Sequence, residues 1–155
     1  MAIAVGSPAP DFTLKDQDGR DWRLSEHRGK IVVLLWYPLD WSPTCTKENC
    51  GLAEDPGELR GEDVVLVGIS RDSTWSHKAF KEHHRIPYDL LADPTLEVTR
   101  SYGLEHPKVP FISHRATVVI DRDGIVRFVQ VQEQTGEPRD MEAVRRAVQE
   151  LRQAA

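Results

Sequence analysis

The chain has 155 residues, a length that one hydrophobic core serves, and it is read as a single domain over 1–155. Its 20 Lys and Arg against 25 Asp and Glu leave a net charge of −5, which excludes the broad basic face that a phosphate backbone requires. A hydrophobic share of 39% and a charged share of 29% exclude a disordered or fibrous chain, and two cysteines, Cys45 and Cys50, are too few for a disulfide scaffold or a four-thiolate zinc site.

Residues Met1 to Asp11 show no basic stretch followed by an apolar one and a small-residue cleavage site, so the cytosol is the expected compartment. Phe12–Leu14 and Asp21–Leu24 flank the turn-rich Asp16-Gln17-Asp18-Gly19 and predict an N-terminal β-hairpin. Ile31–Tyr37 and Val64–Ser70 are near-continuous apolar runs, the pattern of strands buried on both faces of a parallel sheet. The first is the longest apolar run, far short of the roughly 20 residues that span a bilayer, so no membrane partner is expected.

A crossover helix is expected between these strands. Ser42-Pro43 marks its start, with the serine hydroxyl as cap and proline at the first helical position. A second helix is predicted from the Ser73 cap to about His84, with Trp75, Ala79 and Phe80 facing inward. Tyr88–Leu91 adds a short strand, Asp93-Pro94 reads as a further helix start with the acid as cap, and Gly103 as its stop. Ala116–Asp121 and Ile125–Val131, joined by Arg122-Asp123-Gly124, predict an antiparallel hairpin. Met141, Val144, Val148 and Leu151 recur at helical spacing on a closing helix. This order predicts an α/β fold of thioredoxin-like type, a central mixed sheet flanked by helices. Trp22, Trp36 and Trp75 are expected in the core.

Cys45 falls in the first turn of its helix, at the carboxyl edge of a buried strand where open α/β sheets bind ligands. Unpaired backbone N–H groups and the positive end of the helix dipole favour a thiolate there, and the thiolate is the nucleophile. Cys50 is five residues on. On an intact helix the two α-carbons lie about 8.6 Å apart on roughly opposite sides, beyond the roughly 7 Å that a disulfide tolerates. Any bridge between them requires the helix to unwind. A disulfide oxidoreductase with two residues between its cysteines would need cysteine where Glu48 stands. A metal module using the two thiols and the six histidines, and a redox-sensing or chaperone-like binding protein using the same thiol, are further alternatives.

The segment Pro38-x-x-x-Ser42-x-x-Cys45 resembles the active-site motif of the peroxiredoxins, and Tyr37-Pro38 with Cys45-Thr46-Lys47-Glu48-x-Cys50-Gly51 resembles the bacterioferritin-comigratory-protein (Q-type) subfamily. The similarity continues through Pro8-x-Pro10-Asp11-Phe12, Gly68-Ile69-Ser70-x-Asp72-Ser73, His77-Lys78-x-Phe80, Leu90-Leu91-x-Asp93-Pro94, Tyr102-Gly103 and Arg115–Asp121. It implies a thiol-dependent peroxidase in which Cys45 attacks a peroxide and becomes a sulfenic acid. Ser42 matches the hydroxyl that bonds the peroxide, Pro38 the residue that shields the thiolate, and Arg115 the arginine that stabilises thiolate and leaving oxygen. Glu48 matches an orienting carboxylate, with Thr44 and Trp41 beside it. Trp41 departs from the subfamily's usual phenylalanine. The resemblance further implies that Cys50 resolves the sulfenic acid as an intramolecular disulfide, that a thioredoxin-like dithiol reduces it, and that the protein needs no cofactor and works as a monomer rather than a dimer. A one-cysteine cycle with an external thiol is the mechanistic alternative.

Overall fold

A computed structural model describes residues 2–54, 57–59 and 61–154. Its strands are β1 (Thr13–Lys15), β2 (Asp21–Arg23), β3 (Ile31–Trp36), β4 (Val64–Ser70), β5 (Asp89–Ala92), β6 (Arg115–Ile120) and β7 (Val126–Gln132). The helices are α1 (Pro43–Glu54), α2 (Thr74–His84), α3 (Glu97–Ser101) and α4 (Met141–Gln153). All seven strands join one sheet in the order β2-β1-β5-β4-β3-β6-β7. The β3–β4 and β4–β5 pairs are parallel, and β1–β2, β1–β5, β3–β6 and β6–β7 are antiparallel. The sheet is therefore mixed, with the expected hairpin at one edge.

The unbroken apolar run of β3 follows from its place in the sheet. All six of its residues are buried: Val32, Leu34 and Trp36 pack with Phe12, Trp22 and Tyr102 on one face, while Ile31, Val33 and Leu35 pack with Phe80, Val144 and Val148 on the other. Both faces of the strand are roofed, so alternation disappears. Cys45, on α1, belongs to the second layer together with residues of α2 and α4. Val144 and Val148 anchor α4 there with no exposed surface, each contributing roughly 1.5–3 kcal/mol by leaving water.

Two expectations are corrected. On α2 the inward residues are His77 and Phe80, while Trp75 is 85% exposed and Ala79 is also exposed. Trp75 lies two positions from His77, about 200° around the helix, so a helix that buries one presents the other to solvent. His77 can be buried because both ring nitrogens find partners. Its Nε2 lies 3.0 Å from the Leu91 carbonyl oxygen and its Nδ1 2.8 Å from Asp40 Oδ2. Trp75→Ser is accordingly expected to change unfolding free energy by no more than about 0.5 kcal/mol in urea titrations. A loss comparable with a core truncation would contradict the exposed placement.

The second correction concerns α3, which begins at Glu97 rather than at Pro94, with Leu96 as its cap residue at φ 61°. Asp93 still serves the helix, from farther upstream. Its carboxylate accepts from the Val98 and Thr99 amides at 3.4 and 2.7 Å and from the Thr99 hydroxyl at 2.7 Å. Pro94 lies in the intervening turn, closed by the Leu96 amide donating to the Asp93 carbonyl. Gly103 ends the helix as expected, at φ 67°, a conformation that costs glycine nothing.

Candidate active site

The loop from Tyr37 to Ser42 leaves the carboxyl end of β3 and enters α1. It is fastened to α2 by a buried polar network that sequence reading did not find. Tyr37 Oη donates to Asp40 Oδ1 at 2.5 Å, Ser76 Oγ donates to Asp40 Oδ2 at 2.9 Å, and His77 Nδ1 stands on that same oxygen. The Asp40 amide in turn donates to Asp72 Oδ2 at 2.8 Å. The side chains of Asp40 and His77 have no exposed surface. Both His77 ring nitrogens are thus engaged, one by the Asp40 carboxyl group and one by a backbone carbonyl. Burial and then the Asp40 charge push the Tyr37 phenol well above its ordinary range, so it serves as a donor.

Trp41 follows with φ 70°, a left-handed conformation unusual for a bulky residue. Pro43 takes the first helical position as expected, and the Ser42 carbonyl accepts from the Thr46 amide at 2.9 Å. The Ser42 hydroxyl donates back to the Leu39 carbonyl at 3.1 Å instead of supplying the side-chain cap expected of it. Pro38 is buried at the head of the loop.

Cys45 is therefore the third residue of α1, and it is fully buried. Arg115, the first residue of β6, donates from Nη2 to Cys45 Sγ at 3.1 Å and to the Thr135 carbonyl at 3.0 Å. Its Nη1 donates to Glu48 Oε1 at 2.7 Å. Only 1% of the Arg115 side chain is exposed, so this fork is fixed in a poorly screened setting.

Arg139 was missed by sequence reading and completes the cluster. Its amide donates to Glu48 Oε2 at 2.6 Å, and its guanidinium donates to the carbonyls of Trp36 and Ala116 and to the Thr117 hydroxyl. Burial pulls this guanidinium below its ordinary value, and the charges of Glu48 and Cys45 act in the opposite sense. Two cations and one carboxylate leave a single positive charge, which a Cys45 thiolate neutralises. Nothing in the sequence around Arg139 marks it. Its partners lie on β3, β6 and α1, and only the fold brings them together.

The two cysteines are reduced and have separate surroundings. Cys45 faces Arg115. Cys50 is half-buried, and its Sγ lies 3.2 Å from His84 Nδ1 on α2. Trp41 belongs to this second group, packed against Phe80, His83 and His84. Between the cysteines, the Asn49 side chain donates to the Cys45 carbonyl at 2.8 Å and accepts a short bond from Tyr88 Oη, tying the middle of α1 to the segment before β5. Thr44 and Glu48 line a cleft of about 650 Å³ between α1 and the Gly136–Arg145 segment, together with Lys47, Leu52, Arg139 and Met141. Among the described residues, no group of three or more His, Cys, Asp or Glu stands where it could hold a metal ion.

A helix-start thiol is thus bridged by a buried arginine to a carboxylate of the same helix. Residues 5–129 match the model of the AhpC/TSA family. The chain belongs to that family. Within it, the chain is 40% identical over 127 residues to peroxiredoxin Q, chloroplastic, of Suaeda salsa, a match covering 82% of this chain and 59% of that protein. It is 38% identical over 134 residues to the putative peroxiredoxin bcp of Coxiella burnetii, covering 83% of this chain and 89% of that one. The chain thus spans under two thirds of the plant relative and most of the bacterial one. The crystal structure of peroxidoxin BcpB from Mycobacterium tuberculosis superimposes with a TM-score of 0.82 at 32% identity, covering 99% of both chains. The fold expected from the order of elements, with a mixed sheet flanked by helices, is the one shared with this family member. Among the described residues, no helix is long and apolar enough to cross a membrane.

Proposed function

We propose that this protein is a thiol-dependent peroxidase that reduces hydrogen peroxide and organic hydroperoxides to water or alcohols. The Cys45 thiolate attacks the outer peroxide oxygen; an S–O bond forms, the O–O bond breaks, and Cys45 becomes a sulfenic acid. Cys50 then displaces the sulfenic oxygen as water to form an intramolecular disulfide, which a thioredoxin-like dithiol reduces. The observation that carries this reading is the Arg115 Nη2 contact to the Sγ of a buried thiol in the first turn of a helix. The buried Arg115 Nε–H has no partner among the described residues, which leaves a donor beside the thiol for an oxygen that gains charge as the O–O bond breaks.

In this reading Glu48 orients Arg115, Ser42 offers its hydroxyl to the peroxide, and Pro38 limits solvent at the thiolate. Thr44 and Trp41 shape the two sides of the helix entry. The protein is read as a monomer, as the motif resemblance implies. In this reading the two thiols work in the reducing cytosol, where nearby cysteines cycle rather than stay bridged.

The test is mass spectrometry under non-reducing conditions before and after one equivalent of hydrogen peroxide. Loss of two hydrogens is the expected result. Gain of one oxygen would remove Cys50 from the cycle and leave a one-cysteine peroxidase with an external resolving thiol. Consumption of many equivalents when thioredoxin and its reductase are supplied separates a catalyst from a stoichiometric sensor. Unconsumed peroxide and an unchanged mass would overturn the peroxidase reading.

A further inference from the structure

Cys50 and Cys45 are held by different elements, and this has chemical consequences. Cys45 sits in the first turn of α1 and is gripped from β6, whereas Cys50 lies farther along the helix with its Sγ 3.2 Å from His84 Nδ1, on the last residue of α2. The His84 ring has little freedom to turn away. It meets Phe80 edge-on at 5.1 Å and His83 edge-on at 4.7 Å, and Trp41 covers it at 5.6 Å.

We propose that His84 is the base that ionises Cys50 for its attack on oxidised Cys45; the inference rests on the resolving role proposed above. Unwinding α1 from its N-terminal end releases Cys45 toward Cys50 while α2 keeps hold of Cys50. The Cys50 thiol proton passes to His84 Nδ1, and the Cys50 thiolate attacks Cys45 Sγ. The S–S bond forms, the Cys45 S–O bond breaks, and the departing hydroxide takes the proton from His84 and leaves as water. The reaction consumes only the sulfenic acid made from peroxide. The carboxyl end of α2 carries the negative end of its dipole, which stabilises the positive charge that His84 holds between these two transfers.

Several titratable groups among the described residues stand around the pair. His83 faces the His84 ring, and Tyr88 lies near enough to Cys50 for the thiol's charge to act on its phenol, which burial already raises. Lys81, one turn before His84, is committed to the Ile86 and Tyr88 carbonyls at 2.8 and 2.5 Å. On α1, Lys47 and Glu48 lie within a turn of Cys50, with Glu48 turned to Arg115 and Arg139.

The test follows the second step alone, by quenched-flow mass spectrometry of disulfide formation after a single pulse of peroxide, between pH 6 and 9.5. For His84→Gln we expect sulfenic acid formation at the unsubstituted rate and disulfide formation slowed about 30-fold at pH 7, the ratio of a fully ionised thiol to an unassisted one. The deficit should shrink tenfold per pH unit and vanish above about pH 9, where the thiol ionises unaided. An equal rate in both proteins at every pH, or a deficit independent of pH, would overturn the role of His84 while leaving Cys50 as resolver. Absence of any disulfide in the unsubstituted protein would remove the resolver itself. Should His84→Gln fail to fold, iodoacetamide labelling of Cys50 in Cys45→Ser protein decides the matter. A rate level between pH 7 and 8.5 supports the assignment, and one climbing tenfold per unit overturns it.

Discussion

Arg115→Gln is expected to slow the reaction of Cys45 with hydrogen peroxide by about 10²–10³-fold, the usual cost of removing one preorganised donor from a developing oxyanion. Two effects combine. The substitution removes the charge 3.1 Å from Sγ that favours the thiolate, and it removes the fork that links the thiol to Glu48 and to the Thr135 carbonyl. Glutamine is shorter and uncharged, and it cannot reach all three positions. Stopped-flow measurement of the second-order rate constant, with the thiolate absorbance near 240 nm followed in parallel, checks both. The thiolate signal at neutral pH should fall together with the rate, and far-UV circular dichroism should be unchanged. Arg115→Lys should fall between the two, because it keeps a charge but loses the planar geometry that serves several acceptors at once. A rate within threefold of the unsubstituted protein in Arg115→Gln would remove Arg115 from the chemistry.

Asp40→Ala should lower stability by about 3 kcal/mol, because it leaves the buried groups bonded to its carboxyl without a partner, each at a cost of about 1–3 kcal/mol. Asp40 accepts from Tyr37, Ser76 and His77, and neither Asp40 nor His77 has any exposed side-chain surface. The loss should appear as a fall in the urea midpoint with little change in slope. His77→Ala should also destabilise, and the double variant should cost clearly less than the sum of the singles, since either change alone removes the pairing. Strict additivity would show that the two side chains act independently. The network joins the β3–α1 loop to α2, so the same variants should loosen the approach to Cys45.

What the sequence made legible divides along physical lines. β3 and β4 were readable because strands covered on both faces must be apolar along their length, β6 because its β-rich run leads into the Arg122-Asp123-Gly124 turn, and α4 because its Val144 and Val148 repeat at helical spacing. Cys45 was readable because its chemistry is local: a proline at the first helical position and a thiol two residues later. The misreading of α2 has the opposite origin. A buried histidine is stable only when its ring nitrogens are paired, and its partners, Asp40 and the Leu91 carbonyl, are far away in sequence. Hydrophobicity alone therefore chose Trp75. Arg139 and the pairing of Cys50 with His84 were hidden for the same reason, since each depends on contacts between elements far apart in the chain.

The position of Arg139 also sets the order in which the reactive centre can come into being. Its amide closes on Glu48 from 91 residues farther along the chain, and its guanidinium draws together the ends of β3 and β6. A ribosome adding 5–20 residues per second needs roughly 5–18 s to make that stretch. Throughout that interval Cys45 has been synthesised but lacks Arg115 or the loop that orients it. A nascent chain thus carries the nucleophile long before it carries the environment that makes the nucleophile selective, and protection of that thiol during synthesis falls to the surrounding cell.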